Sequence, residues 1–300
     1  MKAALLPDRG VVKVAGDDAR NFLNGLFTTD IGKVTPEKPC FAALLTPQGK
    51  IIIDCIVAEA PTEDGGGFLI DCPRALAADL VEKLKFYKLR AKVIVEDLSA
   101  ALGVLAIWDG TGTTEYGLCY PDPRLPALGQ RVMLPPHLAK EAAADLRAEL
   151  VGASVYEAHR IAFGVPRGGL DFIYSDAFPH ETDMDQLNGV DFAKGCYIGQ
   201  EVVSRIEHRG SARKRIVPIT TDMFLPDAGV PVMAGGKQIG TMGSAAGPNG
   251  LAMLRLDYIS DAQASKTPIV AGNVTVHPRK PPWARFAWPG EIRPGEKGSV

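Results

Sequence analysis

The chain has 300 residues, 46% of them hydrophobic and 23% charged, with a formal net charge of −2. That length exceeds one ordinary core and points to about two domains of a globular protein. The near-neutral balance excludes a general attraction to nucleic acid or to anionic membrane, so any basic patch must be local.

Five cysteines, Cys40, Cys55, Cys72, Cys119 and Cys196, are odd in number and never at CxxC spacing. Neither a secreted disulfide framework nor a CxxC zinc site is expected from them. The opening Met1-Lys2-Ala3-Ala4-Leu5-Leu6 is too short an apolar run for a secretory segment, and no run is long enough to cross a membrane. A soluble, cytoplasmic protein is the expectation.

Residues 11–14 read as a strand after the turn at Asp8-Arg9-Gly10. Gly16-Asp17-Asp18 opens a helix with Asp17 as N-cap and Ala19, Phe22, Leu23 and Leu26 at helical spacing; Thr28-Thr29-Asp30 ends it. Residues 41–45 and 51–58 are apolar runs joined by Thr46-Pro47-Gln48-Gly49-Lys50, a β-hairpin pattern. Asp54 interrupts the second run. A carboxylate there is hydrogen-bonded, exposed on one face, or aimed at a ligand. Gly65-Gly66-Gly67 precedes a strand over 68–71. A helix over 73–87 lines up Leu76, Leu80, Leu84 and Tyr87, and a strand returns over 91–96.

Further strands are expected over 101–108, 116–120 and 131–134. An Ala-rich, exposed helix follows over 138–150, then a second helix over 154–163 with Ser154 and Glu157 as a capping box. The order strand, strand, helix, strand belongs to an α+β unit rather than a doubly wound sheet. No GxGxxG or GxxxxGK[ST] occurs, so no dinucleotide or P-loop site is expected.

Residues 167–193 lack regular patterning but hold Pro179, His180, Glu181, Asp183 and Asp185, and a loop that long is usually functional. Glu181 reads either as part of a solvated acidic loop or as a ligand group. Arg205, His208, Arg209, Arg213, Lys214 and Arg215 form a basic stretch that reads as a solvated linker or as a binding surface for phosphate, carboxylate or RNA. Beyond it, short strands at 216–219, 230–233, 238–242, 251–256 and 274–277, separated by glycines, read as a small β-barrel. The expected division is 1–214, 215–278 for the barrel, and an extended Pro-rich tail over 279–300.

The octapeptide Lys194-Gly195-Cys196-Tyr197-Ile198-Gly199-Gln200-Glu201 concentrates the chemistry. Two glycines allow a tight bend or a close backbone approach. Lys194, two residues before Cys196, would favour the thiolate. Gln200 and Glu201 offer an amide and a carboxylate to a polar ligand. Read alone, Cys196 is either a buried small hydrophobe in a turn or an activated thiol. His159, His180 and His208 are candidate bases for it, and a metal site joining Cys196 with His180 and Glu181 is a further, weaker option.

This octapeptide resembles the signature of the folate-binding YgfZ family, relatives of the aminomethyltransferase (T-protein) of the glycine cleavage system. The likeness extends to Asp17-Asp18-Ala19-Arg20-Asn21-Phe22-Leu23 with Thr28-Thr29-Asp30, and to Leu44-Leu45-Thr46-Pro47-Gln48-Gly49-Lys50 through Asp54. It continues in Arg160 with Gly164-Val165-Pro166, in Pro179-His180-Glu181, and in Leu187-Asn188-Gly189-Val190. It covers about residues 10 to 215, in order, and is nearest the branch holding the mitochondrial iron–sulfur assembly factor.

The resemblance implies an α+β, T-protein-like cloverleaf: two α+β subdomains plus a small C-terminal β-barrel. It implies tetrahydrofolate or a one-carbon folate derivative as ligand, and a role in assembly or repair of [4Fe–4S] proteins. Cys196 and Asp54 would be the reactive residues. Arg160, Gln200, Glu201, Lys194, Tyr197, Glu181 and Arg205 would line the folate site, and no resident metal is implied. Partners would be iron–sulfur carriers or client proteins, tRNA-modification enzymes among the clients, with no membrane and no nucleic acid.

The alternative is a folate-dependent aminomethyltransferase or demethylating enzyme. Two departures weigh against it. The transferase's paired aspartates reduce to Ile53-Asp54, and its pterin-holding glutamate is replaced by Ala162. Loss of a buried charge-assisted contact costs on the order of 2 kcal/mol.

Overall fold

The first strand, β1 (Lys2–Leu6), falls in the stretch read above only as a short apolar run. It is followed at once by β2 (Arg9–Ala15), yet the two enter different sheets. In the computed structural model, which describes residues 1–210 and 212–290, contacts divide the chain into two compact units. The first is Met1–His159 with Tyr174–Pro179 and Leu187–Arg205; the second is Arg160–Ile173 with His180–Gln186 and the chain from Ile206 onward. Part of the tail expected over 279–300 lies outside the described residues, from 291 on.

The first unit continues with α1 (Ala19–Asn24), β3 (Cys40–Leu45), β4 (Ile51–Glu59), β5 (Phe68–Pro73), α2 (Ala77–Lys88) and β6 (Ile94–Asp97). Next come β7 (Gly103–Trp108), β8 (Leu118–Pro121), β9 (Gln130–Leu134), α3 (Ala139–Asp145) and β10 (Glu149–Leu150). One five-stranded sheet runs β3-β4-β5-β2-β6 and the other β10-β1-β7-β9-β8. The hairpin expected around residues 46–50 is β3 against β4, with Ala43 opposite Asp54. Helix α2 buries Ala77, Leu80, Val81 and Leu84 in the same core as Val12, Val14, Ile53 and Ile70. That periodicity is what the sequence displayed.

Three local expectations are corrected. Helix α1 is only six residues long, and its N-cap position falls to Asp18, not the expected Asp17; the Asp18 side chain accepts from the Lys92 amide at 2.7 Å and does not cap the helix. The helix expected over 138–150 stops at Asp145, and its Ala139, Ala142 and Ala143 are buried, not exposed. Small side chains hid that face from a reading that weighed only large apolar residues. Helix α4 (Ala153–Ala162) begins one residue before Ser154, so Ser154 stands inside the helix and not ahead of it.

A buried ionic network ties the two sheets of this unit together. Asp71 on β5 accepts from Arg9 Nε at 2.5 Å and from Arg131 Nη1 on β9 at 2.5 Å. The Tyr120 hydroxyl donates to the same carboxylate, and Asp122 accepts from Arg124 and Arg131. Burial alone would raise the Asp71 carboxyl, but Arg9 and Arg131 outweigh it and hold it below the ordinary carboxylate range. Asp122 behaves likewise: Arg124 and Arg131 overcome its burial.

After α5 (Gln200–Arg209), the second unit builds β11 (Lys214–Thr220), β12 (Pro231–Ala234), β13 (Lys237–Ala246) and β14 (Asn249–Arg255). Then follow α6 (Leu256–Ala264), β15 (Ile269–Ala271), β16 (Val274–Thr275) and β17 (His277–Pro278). These strands form one antiparallel sheet, β16-β15-β12-β13-β14-β11-β17, the small barrel expected from its glycine-punctuated pattern. Helix α6 and β15 were not foreseen. Ile259 and Ala262 of α6 pack into the barrel core, three residues apart.

Candidate functional site

Thr28 explains why the irregular chain after residue 187 takes a fixed path. Its hydroxyl donates to Gly189 O at 2.6 Å and accepts from the Ala43 amide, while its carbonyl accepts from the Asp191 amide at 3.0 Å. Asp191 then holds Lys33 at 2.6 Å and accepts from the Ala193 amide, turning the chain. The next residue, Lys194, is only 8% exposed. Its ammonium donates to Asn24 O, Phe27 O and Thr29 O at 2.6 to 3.0 Å. Those three carbonyls stand at and just beyond the end of α1, and an ammonium has three donors, so the set is complete. Burial draws its pKa down to about 8.

Lys194 is therefore an anchor. Its donors are committed to the backbone, and the cation expected to activate Cys196 sits instead under the ring of Tyr197, 5.2 Å from its centroid. Tyr197 is itself buried, and burial pushes its hydroxyl up to about 12. Between these two anchors Gly195 and Cys196 stand exposed. The thiol is displayed on a two-residue arch whose feet are fixed.

The second glycine of the octapeptide is the one with a conformational demand. Gly199 has φ +82°, and a Cβ there would lie 2.6 Å from Thr46 O in the β3–β4 turn. Gly195 has open space around it and needs neither. Once past Gly199 the chain enters α5, with Ile198 packed on the sheet core and Val203 fully buried. Gln200 is half-buried in its first turn, while Glu201 and Arg205 are exposed along it.

Asp54 is buried on β4 and accepts a hydrogen bond from the Tyr174 hydroxyl. Burial first, and Asp54 second, drive the Tyr174 hydroxyl well above its usual range. Tyr174 reaches Asp54 because the segment from Tyr174 to Pro179 pairs with the hairpin. Ser175 N donates to Ile51 O at 2.7 Å and Ile51 N to Ala177 O at 3.0 Å. The sequence reading found Asp54 but not Tyr174, which lay in a stretch without periodicity.

Arg160 in the second unit is a buried structural cation. Its guanidinium donates to Val165 O, Asp171 Oδ2 and Ser244 Oγ at 2.6 to 2.8 Å, and Asp171 in turn accepts from the Ser244 amide and hydroxyl. Glu181 is half-buried, and its carbonyl receives the Ile216 amide. His180 pairs with Glu207 at 3.0 Å, and Arg215 donates to Asp183 and doubly to Asp185.

Among the described residues, the group whose donor atoms fall within 4.8 Å of one another is His180, Asp185 and Glu207. Neither Cys196 nor Glu181 belongs to it, so the option joining them with His180 at a metal is not formed. Asp185 is already engaged twice by Arg215, so the group is an ion-pair network.

The other four cysteines contrast with Cys196. Cys55 and Cys72 are buried, Cys40 and Cys119 half-buried. Burial raises all four thiols, Cys40 and Cys72 to about 12. Cys196 alone among the five is exposed.

Comparison with known proteins completes the picture. Residues 213–286 match the family described as CAF17, C-terminal beta-barrel domain. The whole chain has the fold of the glycine cleavage system aminomethyltransferase T from Bartonella henselae, with TM-score 0.72 over 96% of this chain and 87% of that one. At 16% identity this likeness speaks for the fold alone, and it matches the expected T-protein-like architecture with its barrel.

The chain is 34% identical over 278 residues to "Iron-sulfur cluster assembly factor IBA57 homolog, mitochondrial" of Mycosarcoma maydis, covering 89% of this chain and 68% of that protein. It is 32% identical over 295 residues to the corresponding factor of Mus musculus, covering 87% and 80%. These relatives are named as mitochondrial, which overturns the expected cytoplasmic location and points to the mitochondrion. Free thiols argue for a reducing compartment but do not say which one. At this identity and coverage, the chain belongs to the family of the iron–sulfur cluster assembly factor IBA57.

Proposed function

We propose that this protein serves iron–sulfur cluster assembly, with Cys196 as its working thiol. The observation that carries the reading is the arch at Cys196, an exposed sulfur between the buried anchors Lys194 and Tyr197. Such a thiol, once deprotonated, is a ligand for iron in a cluster being handed on. It lies in no group of three or more metal-ligating side chains among the described residues. The remaining ligands then come from a second molecule, a carrier or client protein, and a fixed arch presents the sulfur to it at low entropic cost. Asp54 is buried against Tyr174 and supports the hairpin on which Gly199 rests.

Tetrahydrofolate, or a one-carbon derivative, is the small ligand implied by the family resemblance. The residues present do not fit pterin recognition in the transferase manner. Lys194 has all its donors on backbone carbonyls, Arg160 is paired with Asp171, and an exposed Ala162 stands where a carboxylate is needed. Gln200, Glu201 and Arg205 on α5 keep solvent access, and titration calorimetry with tetrahydrofolate tests for the ligand. Aminomethyl transfer, the alternative raised by the fold, is disfavoured by the same Ala162. Incubation with tetrahydrofolate and an aminomethyl donor is expected to yield no methylene-tetrahydrofolate.

The decisive experiment is complementation. A Cys196→Ala chain should fold and accumulate normally, yet leave [4Fe–4S] enzymes inactive in a strain lacking the protein. Full restoration by that variant would remove the thiol from the mechanism.

A further inference from the structure

The end of α2 and the turn after it are strongly basic. Lys83, Lys85, Lys88, Arg90 and Lys92 place five cations in ten residues with no Asp or Glu among them, in a chain whose net charge is −2. Lys85 and Lys92 have loose partners, Glu82 at 3.6 Å and Asp17 at 4.0 Å. Lys83, Lys88 and Arg90 have no ion-pair partner among the described residues.

The same segment holds large apolar side chains in water. Leu89 is 89% exposed and Phe86 77%, with Ile94 on the neighbouring edge strand at 61%. Helical geometry accounts for Phe86. Leu80 and Leu84 face the core, and a residue two positions past Leu84 is turned about 200° away. Leu89 follows the helix at φ +45°, ψ −105°, a conformation costly for a branched side chain. At Phe86 and Leu89 most of the side chain stands in solvent. They protrude, ringed by cations.

We propose that this knob is a peripheral docking site for an anionic lipid surface. Protruding Phe86 and Leu89 enter the boundary between headgroups and acyl chains, while the surrounding lysines and Arg90 meet the headgroup phosphates. Unpaired cations around exposed apolar side chains complement a layer of phosphates over an apolar interior. The near-neutral chain as a whole gave no reason to expect a membrane partner; here a local run of cations coincides with exposed apolar side chains. The proposal is independent of the role of Cys196.

Co-sedimentation of the full chain with vesicles tests it. The protein should bind vesicles of phosphatidylglycerol and phosphatidylcholine in equal parts at least about tenfold more tightly than vesicles of phosphatidylcholine alone. High salt should release it. Phe86→Ser with Leu89→Ser, and separately Lys85→Gln with Lys88→Gln, should each weaken binding about tenfold while leaving the thermal midpoint unchanged, because these side chains are not in the core. Absence of binding to the anionic vesicles, or binding that neither double variant reduces, overturns the proposal. Failure to bind vesicles together with shielding of these lysines by an acidic protein would also overturn it, and would assign the knob to a protein partner.

Discussion

Lys194 and Cys196 are two residues apart and have opposite fates, and most of the site follows from that. A Lys194→Met substitution leaves three backbone carbonyls without their donor, and should cost on the order of 3 kcal/mol in urea unfolding. It should also release the arch, read as faster exchange of the amides at 194–197. Native-state alkylation should modify Cys196 alone in a first fast phase that vanishes in Cys196→Ala, since burial raises the other four thiols.

The acidic residues divide in the same way. Asp71 and Asp122 are each held by two arginines, so Asp71→Asn or Asp122→Asn leaves buried cations uncompensated and should cost about 3–5 kcal/mol. Asp183 differs. Burial raises its carboxyl well above the ordinary value despite Arg215, and its Oδ2 has no hydrogen-bond partner. Asp183→Asn should cost less than Asp71→Asn, because Arg215 keeps Asp185 as its partner. The sequence showed which residues were chemically special, but not their assignments. Lys194 and Arg160 looked like ligand contacts and are anchors, because the groups they hold, Asn24 O, Phe27 O, Thr29 O and Asp171, carry no pattern that a linear reading can pair with them.

The β3–β4 hairpin is the element on which the octapeptide rests. Gly199 passes so close to Thr46 O that Gly199→Ala must displace backbone while also forcing alanine to positive φ. Gly195→Ala meets nothing. The first should lower the thermal midpoint clearly and the second hardly at all, which scanning calorimetry can separate. Long, strongly periodic elements such as α2, β4 and β14 were legible in the order of the residues alone. Helix α3 was misjudged because its buried face is built of alanine, and α6 was overlooked because it follows β14 with no intervening residue to mark the change. The stretch over 167–193 was flagged as special, but its course was not readable: hydrogen bonds to Ile51 and Thr28 fix it, not local propensity.

For the molecule as a whole, the acid side of its stability curve follows from the ionic network of the first unit. Asp71 and Asp122 have folded pKa values below the unfolded 3.8, so their contribution is fully present above that value. It is lost as pH falls through the folded values. Asp183 acts in the opposite sense, its folded value lying above 3.8, so its proton favours the folded state as pH drops. Acid unfolding followed by near-ultraviolet circular dichroism should start with signals of the first unit, Tyr120 and Trp108 among them.

The fold class and the barrel were legible because strand spacing and glycine turns are properties of the chain itself. The compartment was not, since a free thiol reports only redox poise. The division of the chain has a further consequence. The first unit is built from Met1–His159 and two later segments, the last of them ending at Arg205. A ribosome therefore delivers both sheets long before it delivers Lys194. Cys196 thus gains its fixed, exposed setting late, only when Lys194 arrives to meet the carbonyls of Asn24, Phe27 and Thr29.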